Sequence, residues 1–226
     1  MCGRYFLTHP GDVLAADLRL EGAVEVTPRY NIAPTQRVPI VRAGDTGARE
    51  TSTARWGLVP VWAKDPAIGH RLINARAESV AEKPSFRDSF RKRRCLIPAS
   101  GFFEWSKEGA AKQPWLLRRP DGGPLAFAGL WSRWRDPGSD EELESFAILT
   151  TTPNAVAALV HDRMPVILDE PARSLWLDPV ADPKNDLSPL LRPCPAEELE
   201  AFPVSRRVNN PRHDEPSCLD PISRPD

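Results

Sequence analysis

The sequence has no run of about 18 consecutive apolar residues, so nothing in it reads as a membrane-spanning helix. Its amino-terminal stretch lacks the basic start and continuous apolar segment of a secretory signal, and a soluble, cytoplasmic protein is expected. Cysteine is scarce and scattered: Cys2, Cys95, Cys194 and Cys218 form no C-x-x-C pair, and no His-x-His occurs. These absences argue against the usual zinc spacings and a dense disulfide framework, so reduced thiols, no metal and no cofactor are expected. No internal repeat, low-complexity block or linker-like stretch divides the 226 residues, which read as one domain. An excess of either charge is also missing: 30 Lys+Arg face 31 Asp+Glu, and a net charge of -1 alone points away from nucleic acid. The balance is uneven, however. Through Gln113 there are 18 basic against 12 acidic residues and after it 12 against 19, so a basic face built from the N-terminal half can meet phosphates while the remainder stays acidic.

An apolar share of 41% with seven tryptophans is enough for a sizeable core, and 25 prolines, about twice the usual frequency, argue for many short elements. Strand-like runs fall at Val38 to Val41, Thr53 to Leu58, Cys95 to Ile97, Trp115 to Leu117, Leu125 to Trp131, Phe146 to Thr150 and Val166 to Leu168, separated by Gly, Pro and Asp-rich turns. Thr8 is placed to cap a helix with Pro10 in its first turn and Val13, Leu14 and Leu18 on its apolar face. Thr152-Pro153 starts another, running to about Val160, which leaves His161 just past a helix end. Glu170 to Leu177 and Ala196 to Phe202 have helical spacing, and the polar, proline-rich tail from 211 to 226 is expected to be poorly ordered. The whole reads as an α+β fold over residues 1–210, with a mixed, curved, barrel-like sheet and short helices around it.

The sequence opens Met1-Cys2-Gly3-Arg4, and a small second residue permits removal of the initiator methionine. Cys2 would then carry an amine and a thiol on adjacent carbons. An α-amine titrates at about 7.7 to 8.0 against about 10.4 for lysine, so a useful fraction is nucleophilic at neutral pH and can attack an aldehyde. The thiol can close on the resulting imine carbon to give a five-membered thiazolidine. The plain alternative is a small buried cysteine. In Asn74-Ala75-Arg76-Ala77-Glu78, an asparagine can orient an amine or sugar oxygen and an arginine can hold a phosphate; a turn with a surface salt bridge reads equally well. Glu104, within Cys95 to Trp105, is one carboxylate among apolar residues, where desolvation suits it to proton transfer unless it lies on a solvated strand face. His161, in His161-Asp162-Arg163-Met164-Pro165, can shuttle a proton or be a satisfied structural residue. The run Arg91-Lys92-Arg93-Arg94 with Arg4, Arg71, Arg76 and Arg87 supplies cations, while Trp56, Trp62, Phe86 and Phe90 offer stacking faces or wedges. Basic runs are also common at solvated helix ends, and several of these aromatics must be core.

Together these segments resemble the SOS-response-associated peptidase family of abasic-site-sensing proteins. The resemblance rests on Met1-Cys2-Gly3-Arg4, Tyr30 to Gln36, Arg55 to Trp62, Asn74 to Glu78 and Arg94 to Trp105. It continues through Ala128 to Trp131, Thr150-Thr151, His161 to Leu168, Val204-Ser205 and Val208 to Asn210. It implies that Cys2 forms a thiazolidine with an abasic site in single-stranded DNA, Asn74 positions the amine, Glu104 handles protons during imine formation and His161 helps open the sugar ring. It further implies a DNA path lined by Arg4, Asn31, Arg76 and Thr150, to which the aromatic reading adds Trp62 and Phe86. The chemistry implied is lyase-like Schiff-base formation, with a peptidase activity suggested by the family name and nucleoid association on damaged DNA. A monomer whose partner is abasic single-stranded DNA is expected. Only Met1 precedes Cys2, so ordinary methionine removal suffices to expose it. Some relatives carry a Trp-Trp pair where Trp62 is followed by Ala63, which removes one stacking surface.

Two rivals make different demands. An N-terminal-nucleophile glutamine amidotransferase also begins Met-Cys-Gly but calls for an Asn-Gly oxyanion hole and a synthetase domain, and the chain has no Asn-Gly. A non-covalent single-strand-binding module would keep the basic and aromatic residues and have no use for Glu104 and His161.

Overall fold

Val38 and Ile40 alternate with less apolar neighbours, whereas Cys95 to Ile97 is apolar throughout; the first pattern covers one face of a sheet and the second both. The computed structural model describes residues 2–22, 24–44, 46–106 and 112–222, and both patterns lie in one curved sheet. Its strands are β3 (Arg37–Ala43), β4 (Arg49–Trp56), β6 (Arg94–Ala99), β9 (Leu125–Arg135) and β10 (Glu142–Thr151). Each pairs with two others, β3 with β4 and β6, β9 with β6 and β10, and β10 with β4, so the five close into a barrel-like ring. The closing contact between β3 and β6 is a single pairing, Val41 with Leu96. Two short strands, β5 (Asn74–Arg76) and β11 (Met164–Pro165), extend β10 beyond the ring.

A second sheet runs in the order β12 (Glu200–Pro203), β8 (Gln113–Arg118), β7 (Gly101–Ser106), β1 (Arg4–Leu7) and β2 (Arg29–Ile32). The chain passes from ring to second sheet through Ala99-Ser100-Gly101, where Ser100 N–H donates to Phe6 O at 2.8 Å and Ser100 Oγ accepts from Thr8 N–H at 2.8 Å. Glycine is required at 101, because a Cβ there would come within 2.5 Å of the Phe6 ring and 2.6 Å of Leu117 O. Between the layers, Tyr5 meets Trp56 and Phe127 edge-on at 5.3 and 6.1 Å, and Phe102 meets Phe127 at 5.9 Å. All four rings are fully buried, and burial on this scale is the main stabilising term of the fold.

Helices are short: α1 (Gly11–Leu18), α2 (Arg87–Lys92) and α3 (Glu170–Leu177, capped by Asp169 Oδ1 on Ala172 N–H) are the α-helices among the described residues. Three local expectations fail for identifiable reasons. Thr8 does not cap α1, since its N–H and hydroxyl face Ser100 and Pro10 takes the cap position. The helix from Thr152 to Val160 shrinks to a 3-10 turn, Ala157–Leu159, because Asn154 Oδ1 accepts the Ala157 N–H while its Nδ2 reaches Cys194 O. The helical spacing of Ala196 to Phe202 yields to a turn and then β12, whose pairing with β8 satisfies that strand's outer backbone groups.

The tail also departs from expectation. Residues 211–222 pack against the domain: the Asp214 carboxylate accepts from Arg29 Nε, from Tyr30 N–H at 2.5 Å and from Asn31 N–H at 3.0 Å. Cys218 is fully buried in a small cluster with Phe6, Phe103 and Leu116. One acidic and one apolar anchor hold a segment whose composition alone suggests disorder. Residues 223–226 lie outside the described residues, as does Met1.

Candidate active site

The antiparallel register of β1 on β7, Arg4 opposite Phe103 and Tyr5 opposite Phe102, brings the start of the chain to the Glu104 end of β7. Cys2 lies there, fully buried. Parallel pairing of β5 with β10, Ile148 opposite Asn74 and Thr150 opposite Arg76, places Asn74 beside it, and Asn74 Nδ2 donates to Cys2 O at 2.8 Å. Asn74 Oδ1 is buried and accepts no hydrogen bond among the described residues. Glu104, 4% exposed, faces the same spot, and His161 follows the 157–159 turn with its Nε2 4.0 Å from Glu104 Oε2. Four residues spread from position 2 to 161 thus meet at one edge where the ring and the second sheet adjoin.

The electrostatics follow from burial. Desolvation raises the Glu104 carboxyl to about 7, so it changes charge near neutral pH. Burial, with the nearby Glu104 charge second, pushes the Cys2 thiol far above its ordinary value. A thiol there stays protonated until a base takes its proton. His161 Nδ1 accepts the Arg163 backbone N–H at 3.0 Å and also lies 3.0 Å from Asp162 Oδ1, while Nε2 faces Glu104. No group of three or more potential metal-ligating residues occurs among the described residues.

The other residues singled out in the sequence fall into two groups. Arg76 and Trp62 are exposed, Trp62 at 54%, and Trp62 Nε1 donates to Pro84 O at 3.4 Å. Phe86 and Thr150, by contrast, are buried, and so is Asn31, whose Nδ2 donates to Val208 O, Asn210 O and His213 O at 3.2, 3.1 and 2.7 Å. Arg4 donates to Asn31 Oδ1 and Val208 O, both at 2.7 Å, and lies 5.7 Å from the Trp105 ring centre. Within the basic run, Arg94 is buried and bonds the carbonyls of Trp176, Phe90, Arg91 and Asp178, leaving Arg91 and Lys92 exposed.

Sequence reasoning passed over Arg163 and Glu78 as individual residues, although both lie inside segments it marked. Arg163 Nη1 and Nη2 donate to the two Glu78 carboxylate oxygens at 2.6 and 3.0 Å, and Nη2 also donates to Thr150 O at 2.5 Å. The signal available was the pairing of one acid and one base in two otherwise unrelated polar segments. Asn209, which accepts from Trp105 Nε1 at 2.7 Å, carried no such signal.

The model of the SOS response associated peptidase (SRAP) family matches residues 1–211. The chain is 38% identical to the abasic site processing protein YoqW of Bacillus subtilis, over 97% of this chain and 99% of that protein. It is 31% identical to the abasic site processing protein YedK of Escherichia coli, over 98% and 100%. A crystal structure of a protein from Bacteroides thetaiotaomicron superposes with a TM-score of 0.88 at 29% identity, covering 98% of this chain and all of that one. With a family model spanning nearly the whole domain and relatives matched end to end, the chain belongs to the SOS response-associated peptidase family.

Proposed function

We propose that this protein processes abasic sites in single-stranded DNA by forming a covalent crosslink through Cys2 once Met1 has been removed. The observation that carries the reading is the convergence of buried Cys2 and Glu104 with half-buried Asn74 and His161 at one edge of the fold. The names of the curated relatives support abasic sites as the target class.

The chemistry balances without a redox partner. The Cys2 amine adds to the aldehyde carbon of the opened sugar, and loss of water gives an imine. The thiol sulfur then bonds to that carbon, the C=N π pair becomes a nitrogen lone pair, and the thiol proton ends on nitrogen. Asn74, already bonded to Cys2 O, has Oδ1 available to accept from the amine and hold its lone pair toward the sugar. Glu104, titrating near 7, relays protons: to the departing hydroxyl as an acid, from the thiol as a base. The order is amine first, because the buried thiol is protonated until Glu104 can take its proton. His161 donates from Nε2 to the sugar ring oxygen as the ring opens.

The test is direct. Purified protein incubated with a single-stranded oligonucleotide bearing one abasic site should give a heat- and denaturant-resistant adduct, and Cys2→Ala should give none. Equal adduct from the alanine variant would assign the bond to another nucleophile.

A further inference from the structure

The Glu78–Arg163 ion pair joins two segments that the chemistry needs in register. Glu78 lies in the turn Ala77–Ser79 directly after β5, the strand that begins with Asn74. Arg163 is two residues past His161. The guanidinium engages both Glu78 oxygens and is held on its other side by Thr150 O, so the Arg163 side chain is only 13% exposed while that of Glu78 is 51% exposed. A bidentate fork of this kind fixes orientation as well as distance.

The backbone of Arg163 makes this matter. Its N–H donates to His161 Nδ1 at 3.0 Å, but the Asp162 carboxylate stands 3.0 Å from the same nitrogen. The two contacts ask for opposite states. An N–H donor needs the Nδ1 lone pair, which puts the neutral ring's proton on Nε2; a carboxylate draws a proton onto Nδ1 and leaves Nε2 bare in the neutral ring. Glu104 stands across the site from the imidazole, and Glu78 lies on the far side of the Arg163 guanidinium.

We propose that Glu78 is a positioning residue: by holding Arg163 it keeps the Arg163 N–H on His161 Nδ1 and so sets the tautomer that presents Nε2–H to the reaction. The proposal rests on the crosslinking reading above and adds the control of its histidine. The Glu78 carboxylate is half-exposed but Arg163 is largely buried, so loss of Glu78 should lower the melting temperature by a few degrees while its larger effect appears in the chemistry.

Three measurements on Glu78→Ala and Glu78→Gln test it. Crosslinking rate on saturating abasic oligonucleotide should fall about tenfold in the alanine variant, within the range a displaced catalytic group produces, with non-covalent affinity for the same strand not reduced in proportion. Glutamine, which keeps one acceptor for the guanidinium, should recover much of the rate. Imidazole 15N shifts of His161 in the DNA-free protein above its titration should report a pyridine-like Nδ1 in wild type and a mixture in Glu78→Ala. Wild-type rate in the alanine variant, or unchanged 15N shifts, would overturn the assignment. A wild-type protein that forms no adduct would sink the crosslinking reading instead, and the 15N shifts would still decide the role of Glu78.

Discussion

Glu104 shows how a residue's chemistry is set by the strand that carries it. Phe102 and Phe103 precede it on β7 and β8 covers it, so the carboxyl sits near 7 by desolvation. Two consequences can be measured. The crosslinking rate should show an ionisation near pH 7 that Glu104→Gln removes. Stability should respond as well, with a definite sign: a carboxyl whose folded value exceeds its unfolded value stabilises the fold fully below about 4.5, and that contribution is lost as pH rises through about 7. The loss is on the order of 3 kcal/mol, so wild type should lose stability between pH 4.5 and 8 relative to Glu104→Gln in paired denaturant titrations. Parallel curves for the two proteins would show that Glu104 is as well solvated in the folded chain as in the unfolded one.

At the scale of elements, the second sheet is completed by a segment that is neither strand nor helix. Asp214 gathers Arg29 and the N–H groups of Tyr30 and Asn31, holding residues 210–214 along β2. Asp214→Ala strands those donors and should cost about 2 to 3 kcal/mol, read as a lower denaturation midpoint with an unchanged slope. An unaltered midpoint would mean that solvent or a neighbouring group replaces the carboxylate. This segment also marks where sequence reading stopped. The strands of the ring were legible because their burial is written in local runs such as Cys95–Ile97 and Leu125–Trp131. β1, β2 and β7 were not, since Arg4, Asn31 and Glu104 interrupt their apolar pattern with side chains whose partners lie far along the chain. Site residues followed the same rule. Cys2, Asn74, Glu104 and His161 stood out as polar groups in surroundings that did not call for them, and the structure brings them together. Asn31 and Thr150 came from the family resemblance alone, and the structure buries both, with the Asn31 amide on the carbonyls of Val208, Asn210 and His213, partners that no local pattern around position 31 records.

Across the whole molecule, the basic character of the N-terminal half reaches the surface only in part. Arg94 is consumed by backbone carbonyls and Arg4 by Asn31 and Val208, while Arg71, Arg76, Arg87, Arg91 and Lys92 remain exposed. If three or four of these meet phosphates, the log of non-covalent affinity for single-stranded DNA should fall against the log of salt with a slope of about -2 to -3. Salt-independent binding would remove the basic face from the reading. A long-range contact also ties the residues around position 2 to the last part of the domain. Arg4, two residues from Cys2, takes one of its partners from Val208, 204 positions away. The surroundings of Arg4 therefore depend on residues near the far end of the domain, and a truncation before Val208 removes a carbonyl that both Arg4 and the Asn31 amide use.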